Sequence, residues 1–258
     1  INKETGGGYG TPTQEMVESY ELATGGFPDW TPWHDVTTQT PPYADLEPRF
    51  HASVLYNGAP WKGRKIEPYV GGADGWCQWN LEREPKGRTT TGYYLRKMVD
   101  ESHDVIAYSG GVQPLIVLRY AEVLLNKAEA CHKTNDPAGA NAAVRAIRDR
   151  VGLPYEDVTG DDLWKAIRQE RKVELAYEGL WYWDLRRWKV AHKPYPEGLT
   201  GYQQHGLKIE KNNDGTFTYT YVSVDDQDRN FPEKMYRFPM PTGELNNNGK
   251  VAQYSEWK

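Results

Sequence analysis

Apolar residues between positions 117 and 188 recur at spacings of three and four, which predicts a series of amphipathic helices. The apolar face of the first helix consists of Val117, Ala121, Leu124, Leu125 and Ala128. The second helix has Asp136 as its N-cap and Pro137 as its first residue, and it stops at Gly152. Its apolar face consists of Ala140, Ala143, Val144, Ile147 and Val151. Together the two helices have about the length of one tetratricopeptide-type repeat.

The third predicted helix, residues 161–178, carries carboxylates on the face that should be buried. That face consists of Leu163, Ile167, Glu170, Val173, Glu174 and Tyr177. A buried carboxylate is stable only when it is paired or hydrogen-bonded. A fourth, aromatic helix follows, with Trp181, Leu185 and Trp188 along one side. We expect its arginines, Arg186 and Arg187, to pair with the glutamates of the third helix.

The rest of the chain has weaker patterns. Residues 14–23 predict a short helix and residues 53–56 a short strand, between long loops rich in glycine, proline and aromatic residues. Residues 207–210 and 216–222 predict a β-hairpin, because Asn213, Asp214 and Gly215 form a turn signal between them. The predicted fold is mainly α, with tetratricopeptide-like helix pairs, long irregular loops and a small β-hairpin. We interpret residues 1–258 as one domain with a loop-rich part (1–113), a helical-repeat part (114–192) and a hairpin with an irregular tail (193–258).

Composition excludes several classes of protein. The 258 residues are 38% hydrophobic and 26% charged, as in a globular protein, and the net charge of −5 argues against a nucleic-acid partner. No apolar run approaches the roughly 20 residues of a membrane span. Two cysteines, Cys77 and Cys131, allow one disulfide at most, and two thiols are the commoner state. Trp and Tyr (10 and 18) far outnumber Phe (5), which favours rings with a polar group at partly exposed surfaces.

Clustered carboxylates raise the alternative of a glycoside hydrolase, which uses two of them as acid and base. The candidates are Glu170, Glu174, Glu178 and Asp184. Arginines nearby would lower their pKa values, whereas a general acid needs a raised pKa. We therefore predict ion pairs here and no catalytic residue.

The sequence predicts no metal site and no cofactor. Its six histidines are scattered, and none shares a ligand spacing with another on one helix face. The acidic residues Asp225, Asp226 and Asp228 lack the glycine and the spacing of an EF-hand loop. A solvated acidic turn is the favoured interpretation, and calcium binding stays open.

Several segments resemble the SusD/RagB family of outer-membrane nutrient-binding lipoproteins. They are LRYAEVLLNKAEA (118–130), AIRDRVGLP (146–154), IRQERKVELAYEGLWYWDLRRW (167–188) and FPMPTGELNNN (238–248), with weaker segments upstream. Family members are about twice as long, so the chain is similar to their carboxyl-terminal portion. Two motifs depart from the family pattern: the usual Arg-Asp-Pro-Arg-Phe box is Leu46-Glu47-Pro48-Arg49-Phe50, and the final Gly-Trp is Glu256-Trp257. The chain also begins at Ile1, which we interpret as a processed or truncated end without a localisation signal.

The resemblance implies a protein without enzymatic activity that binds oligosaccharide or polysaccharide nutrients at the bacterial outer-membrane surface. It also implies delivery to a SusC-like, TonB-dependent transporter, and a lipid anchor that this chain lacks. A non-carbohydrate nutrient such as a peptide is the alternative, followed by a glycoside hydrolase.

Sugar rings stack on Trp and Tyr, and their hydroxyl groups need polar partners at the rim. The predicted contacts are the loop residues Trp30, Trp33, Trp76 and Trp79, with Asp29, His34 and Gln78 as neighbours that form hydrogen bonds. These tryptophans lie in Gly/Pro-rich loops. Trp181, Trp183 and Trp188 are assigned to the core instead.

Overall fold

The computed structural model describes residues 10–77, 88–103 and 116–258. In that part of the chain the helices are α1 (Gln14–Val17), α2 (Pro48–Ser53), α3 (Tyr120–Lys133), α4 (Pro137–Arg150), α5 (Gly160–Glu174), α6 (Trp181–Arg187) and α7 (Thr242–Asn247). The strands are β1 (Val36–Thr37), β2 (Val54–Leu55), β3 (Pro60–Trp61), β4 (Arg64–Lys65), β5 (Tyr94–Leu95), β6 (His205–Lys211) and β7 (Phe217–Ser223). None of the described helices combines the length and the apolar character needed to cross a membrane.

Contacts divide the chain into two compact units. Unit 1 comprises Ile1–Glu178 and Gln204–Asp225, and unit 2 comprises Gly179–Gln203 and Asp226–Lys258. The β6–β7 hairpin therefore belongs with the amino-terminal part, although it follows α6 in the chain. The third predicted part, residues 193–258, is therefore divided: Gln204–Asp225 belong to unit 1, and its other residues belong to unit 2.

Helices α3, α4 and α5 of unit 1 pack through the residues that the helical periodicity selects. Ala128 of α3, Ala140, Ala143 and Val144 of α4, and Leu163 and Ile167 of α5 form one buried cluster. Asp136 caps α4 by accepting a hydrogen bond from the Gly139 N–H at 2.9 Å, and Gly152 ends it with φ of +72°. The first predicted helix begins later than its pattern suggested. Val117 lies outside α3 and is exposed.

Helix α5 ends at Glu174, four residues before the predicted end. The backbone turns left-handed at Tyr177 (φ +66°) and again at Gly179 (φ +79°), which a helix cannot do. Lys97 stabilises this end, because its ammonium group donates to the carbonyls of Glu174 (3.0 Å) and Ala176 (2.9 Å). A cation at a helix C-terminus also interacts favourably with the helix dipole.

Burial lowers the pKa of Lys172 on α5 to about 8, although Glu15 and Glu18 act in the opposite direction. The unfolded chain, with a lysine pKa near 10.4, then binds more protons than the folded chain between about pH 8 and 10.4. Stability due to this residue is therefore lowest below pH 8 and rises above it. In the parent protein, we expect Lys172 to raise the free energy of unfolding by roughly 1–2 kcal/mol between pH 7 and 9.5. Urea unfolding of Lys172→Met should lack this rise. Parallel pH profiles of both proteins would contradict this.

The larger core of unit 1 packs the sheet against the loop-rich segments. The antiparallel strand order is β1-β7-β6, with Leu207 opposite Tyr221 and Ile209 opposite Tyr219. The predicted hairpin is thus confirmed, and its Gly215 has φ of +87°. Buried in this core are Val17, Tyr20, Trp30, Trp33, Tyr43, Leu46, Phe50, Val54, Tyr93, Val173, Leu207, Ile209 and Tyr219.

Two predicted elements differ in this region. The predicted helix 14–23 is limited to α1, and the predicted strand 53–56 is limited to β2, which pairs with β5. Ser53 is the last residue of α2, which starts at Pro48, a favoured first residue of a helix. Phe50 of α2 is completely buried, so tertiary packing decides this segment.

Candidate functional site

Trp30 and Trp33 are core residues. Their side chains are 6% and 7% exposed, and their rings meet edge to face with centroids 5.6 Å apart. The Trp33 indole N–H donates to the carbonyl of Gln39 at 2.9 Å. The expectation that these rings face solvent is wrong, because their loop folds inward and fills the space beside the β6–β7 hairpin.

Asp29 and His34, predicted as polar neighbours of these rings, are at the surface. Asp29 accepts the backbone N–H of Thr31 at 2.9 Å, and hydrogen bonds from Thr31 hold the pKa of Asp29 below its usual value. His34 Nε2 lies 2.7 Å from a carboxylate oxygen of Glu18. Both polar side chains therefore have partners and still face solvent.

His34 belongs to a stack of three rings on unit 1. Its ring centroid lies 4.9 Å from that of Tyr221, whose other neighbour is His205 at 4.3 Å with an interplanar angle of 13°. His205 Nδ1 lies 2.7 Å from Glu15. The stack places aromatic surface beside polar groups, a combination that suits a sugar.

Trp76 is half-buried. Its indole N–H donates to the carbonyl of Thr90 at 3.1 Å, and the ammonium of Lys208 lies 5.9 Å from its ring centroid. Gln78 and Trp79 lie outside the described residues. A contact between ligand and the Trp76/Trp79 pair therefore stays a prediction.

Unit 2 carries an exposed aromatic group that includes Trp183, and the assignment of Trp183 to the core is therefore wrong. Trp183 is 53% exposed, Phe238 is 58% exposed, and Tyr182 is also exposed. Tyr182 and Trp183 meet edge to face, with ring centroids 5.2 Å apart. We call Tyr182, Trp183 and Phe238 the aromatic surface. Trp181 and Trp188 are half-buried against the core of unit 2, as predicted.

A buried guanidinium group organises the aromatic surface. Arg186 donates to the carbonyls of Met235 (2.7 Å) and Tyr236 (3.0 Å). Its Cζ atom lies 5.3 Å from the ring centroid of Trp183 and 4.6 Å from that of Phe238. Cation–π contacts of this kind fix ring positions in advance, so a ligand would order few side chains on binding.

A periodicity signal could have identified the part of this surface that lies on α6. Trp181 and Leu185 of α6 and its C-cap residue Trp188 occupy one side, and Leu185 is buried. Successive helical residues are rotated by about 100°, so three consecutive aromatics cannot share one face. Tyr182 or Trp183 had to point away from the core.

Glu170 and Glu174 lie in a buried ion-pair network of unit 1. Glu170 accepts from Arg49 and, at 3.2 Å, from Arg148. Glu174 accepts from Arg49 (3.2 Å), Arg119 (2.5 Å) and Arg150 (2.8 Å). The predicted burial and pairing are confirmed.

The prediction that Arg186 and Arg187 pair with these glutamates is wrong. Arg186 donates to the backbone carbonyls of unit 2, and Arg187 pairs with Asp184 at 2.8 Å. Glu178 also lacks the properties of a general acid. Burial raises the pKa of Glu178, but hydrogen bonds from Arg119 and Lys97 outweigh this effect and hold the pKa below its usual value.

No group of three or more metal-ligating side chains occurs in the described ranges 10–77, 88–103 and 116–258. Cys77 and Cys131 are thiols and do not form a disulfide.

Comparisons with known proteins agree on one family. A family model described as the SusD family matches residues 2–257. Two SusD-like proteins of Formosa agariphila, P38 and P2, are 39% and 36% identical over 87 and 97 residues, which are 30% and 33% of this chain. The matched segments make up 17% and 19% of those relatives, so the sequence similarity to them is local.

Solved structures extend the similarity to nearly the whole fold. A SusD-like protein from Bacteroides fragilis superposes with a TM-score of 0.73 and 28% identity, over 95% of this chain and 46% of that one. A SusD-like carbohydrate-binding protein from the same species gives 0.68 and 26%, over 93% of this chain and 48% of that one. The chain therefore spans about half the length of these relatives.

Proposed function

Since this chain belongs to the SusD family, we propose that it binds oligosaccharide or polysaccharide nutrients without hydrolysing them. The family model covers nearly the whole chain, and one solved relative is described as a carbohydrate-binding protein. The fold of the relatives also supports the tetratricopeptide-like interpretation of the α3–α4 pair.

The observation that carries this proposal is the aromatic surface of unit 2. Pyranose rings present C–H faces that stack on aromatic rings, and Trp183 and Phe238 expose more than half of their side-chain surface. Hydrogen bonds to two carbonyls fix the buried Arg186, and its guanidinium group holds these rings in place through cation–π contacts. We assign Tyr182, Trp183 and Phe238 as the principal sugar contacts.

Three of the loop residues predicted from the sequence remain proposed secondary contacts. Asp29 and His34 reach solvent, and Trp76 is partly accessible. Trp79 and Gln78 remain predictions on the sequence alone. The buried rings of Trp30 and Trp33 support the loop instead.

We also propose a location and a partner for the protein, on the basis of its family. Its members are outer-membrane lipoproteins, and we place this protein at the cell surface, held there by a lipid anchor. A TonB-dependent, SusC-like transporter would receive the glycan.

A glycan panel tests the proposal. We expect the chain to bind at least one oligosaccharide in isothermal titration calorimetry. Trp183→Ala should weaken that binding about tenfold or more, as is usual for an aromatic side chain that a ligand covers. Tyr120→Ala is the matched control, because Tyr120 is an exposed aromatic on α3, in unit 1. Its affinity should match the parent.

Two outcomes would contradict the proposal. One is that no member of the panel binds. The other is that the chain releases reducing sugar and that Glu170→Gln abolishes this activity, as a hydrolase would require.

A further inference from the structure

A pocket of about 160 Å³ opens on unit 1 where α2, α4 and α5 meet the chain around Lys97 and Arg119. The polar groups that line it are Arg49, Ser53, Lys97, Arg119, Arg150 and Glu174. Four of these six are cations and one is a carboxylate. A water molecule occupies about 30 Å³ of liquid volume, so the pocket has room for a group of several heavy atoms.

The single carboxylate of the lining is already saturated. The two oxygens of Glu174 accept hydrogen bonds from Arg49, Arg119 and Arg150. Glu174 is also buried, so it is held at the wall of the pocket. Glu47 and Glu170 pair with Arg49 from outside the lining, and Glu178 pairs with Arg119 and Lys97, so the charges balance and an anion would have to be bound through unused hydrogen-bond donors.

Two of the arginines keep unused donors. Arg150 is linked to Glu174 through Nη2, and the described residues offer no partner to its Nε and Nη1. Arg49 donates through Nε and Nη1 to glutamates, and its Nη2 makes no hydrogen bond within the described ranges. A guanidinium group has five N–H donors in a planar fork that matches an oxyanion. The side chain of Arg150 is 57% exposed, so a ligand can reach it.

We propose that this pocket binds a compact oxyanion carried by the glycan, either a sulfate ester or a uronate carboxylate. The inference rests on the proposed glycan-binding function and narrows its substrate class to acidic glycans. The unused N–H donors of Arg49 and Arg150 supply the charge-assisted hydrogen bonds to that oxyanion.

Titration with sodium sulfate, against sodium chloride at equal ionic strength, tests the pocket. We expect sulfate to bind in calorimetry and Arg150→Gln to weaken this binding about tenfold or more, since charge-assisted hydrogen bonds are lost. The matched control is Arg145→Gln on the same helix, because Arg145 pairs with Asp157 and does not line the pocket. Its sulfate affinity should equal that of the parent.

The same proteins are then titrated with sulfated, uronate-containing and neutral oligosaccharides of equal length. Preference for one of the two acidic classes, reduced in Arg150→Gln, supports the inference and identifies the anion. Sulfate also stabilises proteins by being excluded from their surface, without occupying a site. An effect of sulfate that is equal in the parent and in Arg150→Gln would therefore overturn the inference.

Failure of the inference and failure of the proposed function are distinguishable. Binding of neutral glycans that depends on Trp183, without any preference for anions, overturns the pocket assignment and leaves glycan binding in place. Sulfate binding that depends on Arg150, without binding to any glycan, supports the pocket and contradicts the proposed function.

Discussion

Replacing Glu170 with alanine is expected to lower the free energy of unfolding by about 3 kcal/mol, the usual cost of removing one partner of a buried ion pair. Glu170 is 2% exposed and accepts hydrogen bonds from Arg49 and Arg148. Both arginines are themselves buried. The substitution leaves two guanidinium groups with less compensation in a medium that solvates charge poorly.

Urea unfolding at pH 7, followed by fluorescence, measures this effect. The matched control is Asp162→Ala on the same helix, because Asp162 is exposed and pairs only with the exposed Lys165 among its described salt bridges. Surface pairs of this kind contribute less than about 1 kcal/mol. Equal unfolding midpoints for the parent and Glu170→Ala would mean that water solvates the network, and would return Glu170 and Glu174 to the candidate catalytic residues.

Replacing Phe50 with alanine is expected to cost about 3–5 kcal/mol, the range for a large core aromatic. Phe50 is completely buried in α2. Its ring stacks on Tyr56 at 5.3 Å and Tyr43 at 5.8 Å, and meets Tyr20 edge to face at 5.5 Å. Removal leaves a cavity between three tyrosines and also loses the aromatic contacts.

Thermal and urea unfolding both report on this substitution. Phe27→Ala is the matched control, because Phe27 is exposed, and a change within about 0.5 kcal/mol is expected there. A stable Phe50→Ala protein with the unfolding midpoint of the parent would show that α2 is not part of the core.

Helix α4 of unit 1 was predictable because its periodicity and its end signals agree. Asp136, Pro137 and Gly152 mark the limits of α4, and the structure places each at the corresponding position. The burial of the two carboxylates of α5 was predictable from periodicity as well. A spacing of three and four residues assigns Glu170 and Glu174 to the side of Leu163 and Ile167.

The partners of those carboxylates could not be read from the sequence. Arg49 lies 121 positions before Glu170, and nothing local indicates that the two residues meet. Arg186 and Arg187 are close in sequence, which made them the obvious candidates. The fold uses Arg186 to hold the carbonyls of Met235 and Tyr236 instead.

Ring exposure outside regular helices was also beyond the sequence. A loop rich in glycine and proline can lie on the surface or fold inward, and the loop of Trp30 and Trp33 folds inward. The dense aromatic run of α6 suggested burial, yet Trp183 faces solvent. Helical periodicity could correct the expectation for Trp183, because α6 has one buried side. It has no bearing on Trp30 and Trp33, which lie in a loop.

Protection of Trp183 from oxidation by N-bromosuccinimide, quantified by peptide mass spectrometry, tests the central claim most directly. A bound glycan that stacks on the aromatic surface must shield this ring. We predict that a saturating oligosaccharide slows the oxidation of Trp183 several-fold and leaves that of half-buried Trp164 on α5 unchanged. Full reactivity of Trp183 in the presence of a glycan shown to bind would place the binding site elsewhere and contradict the account.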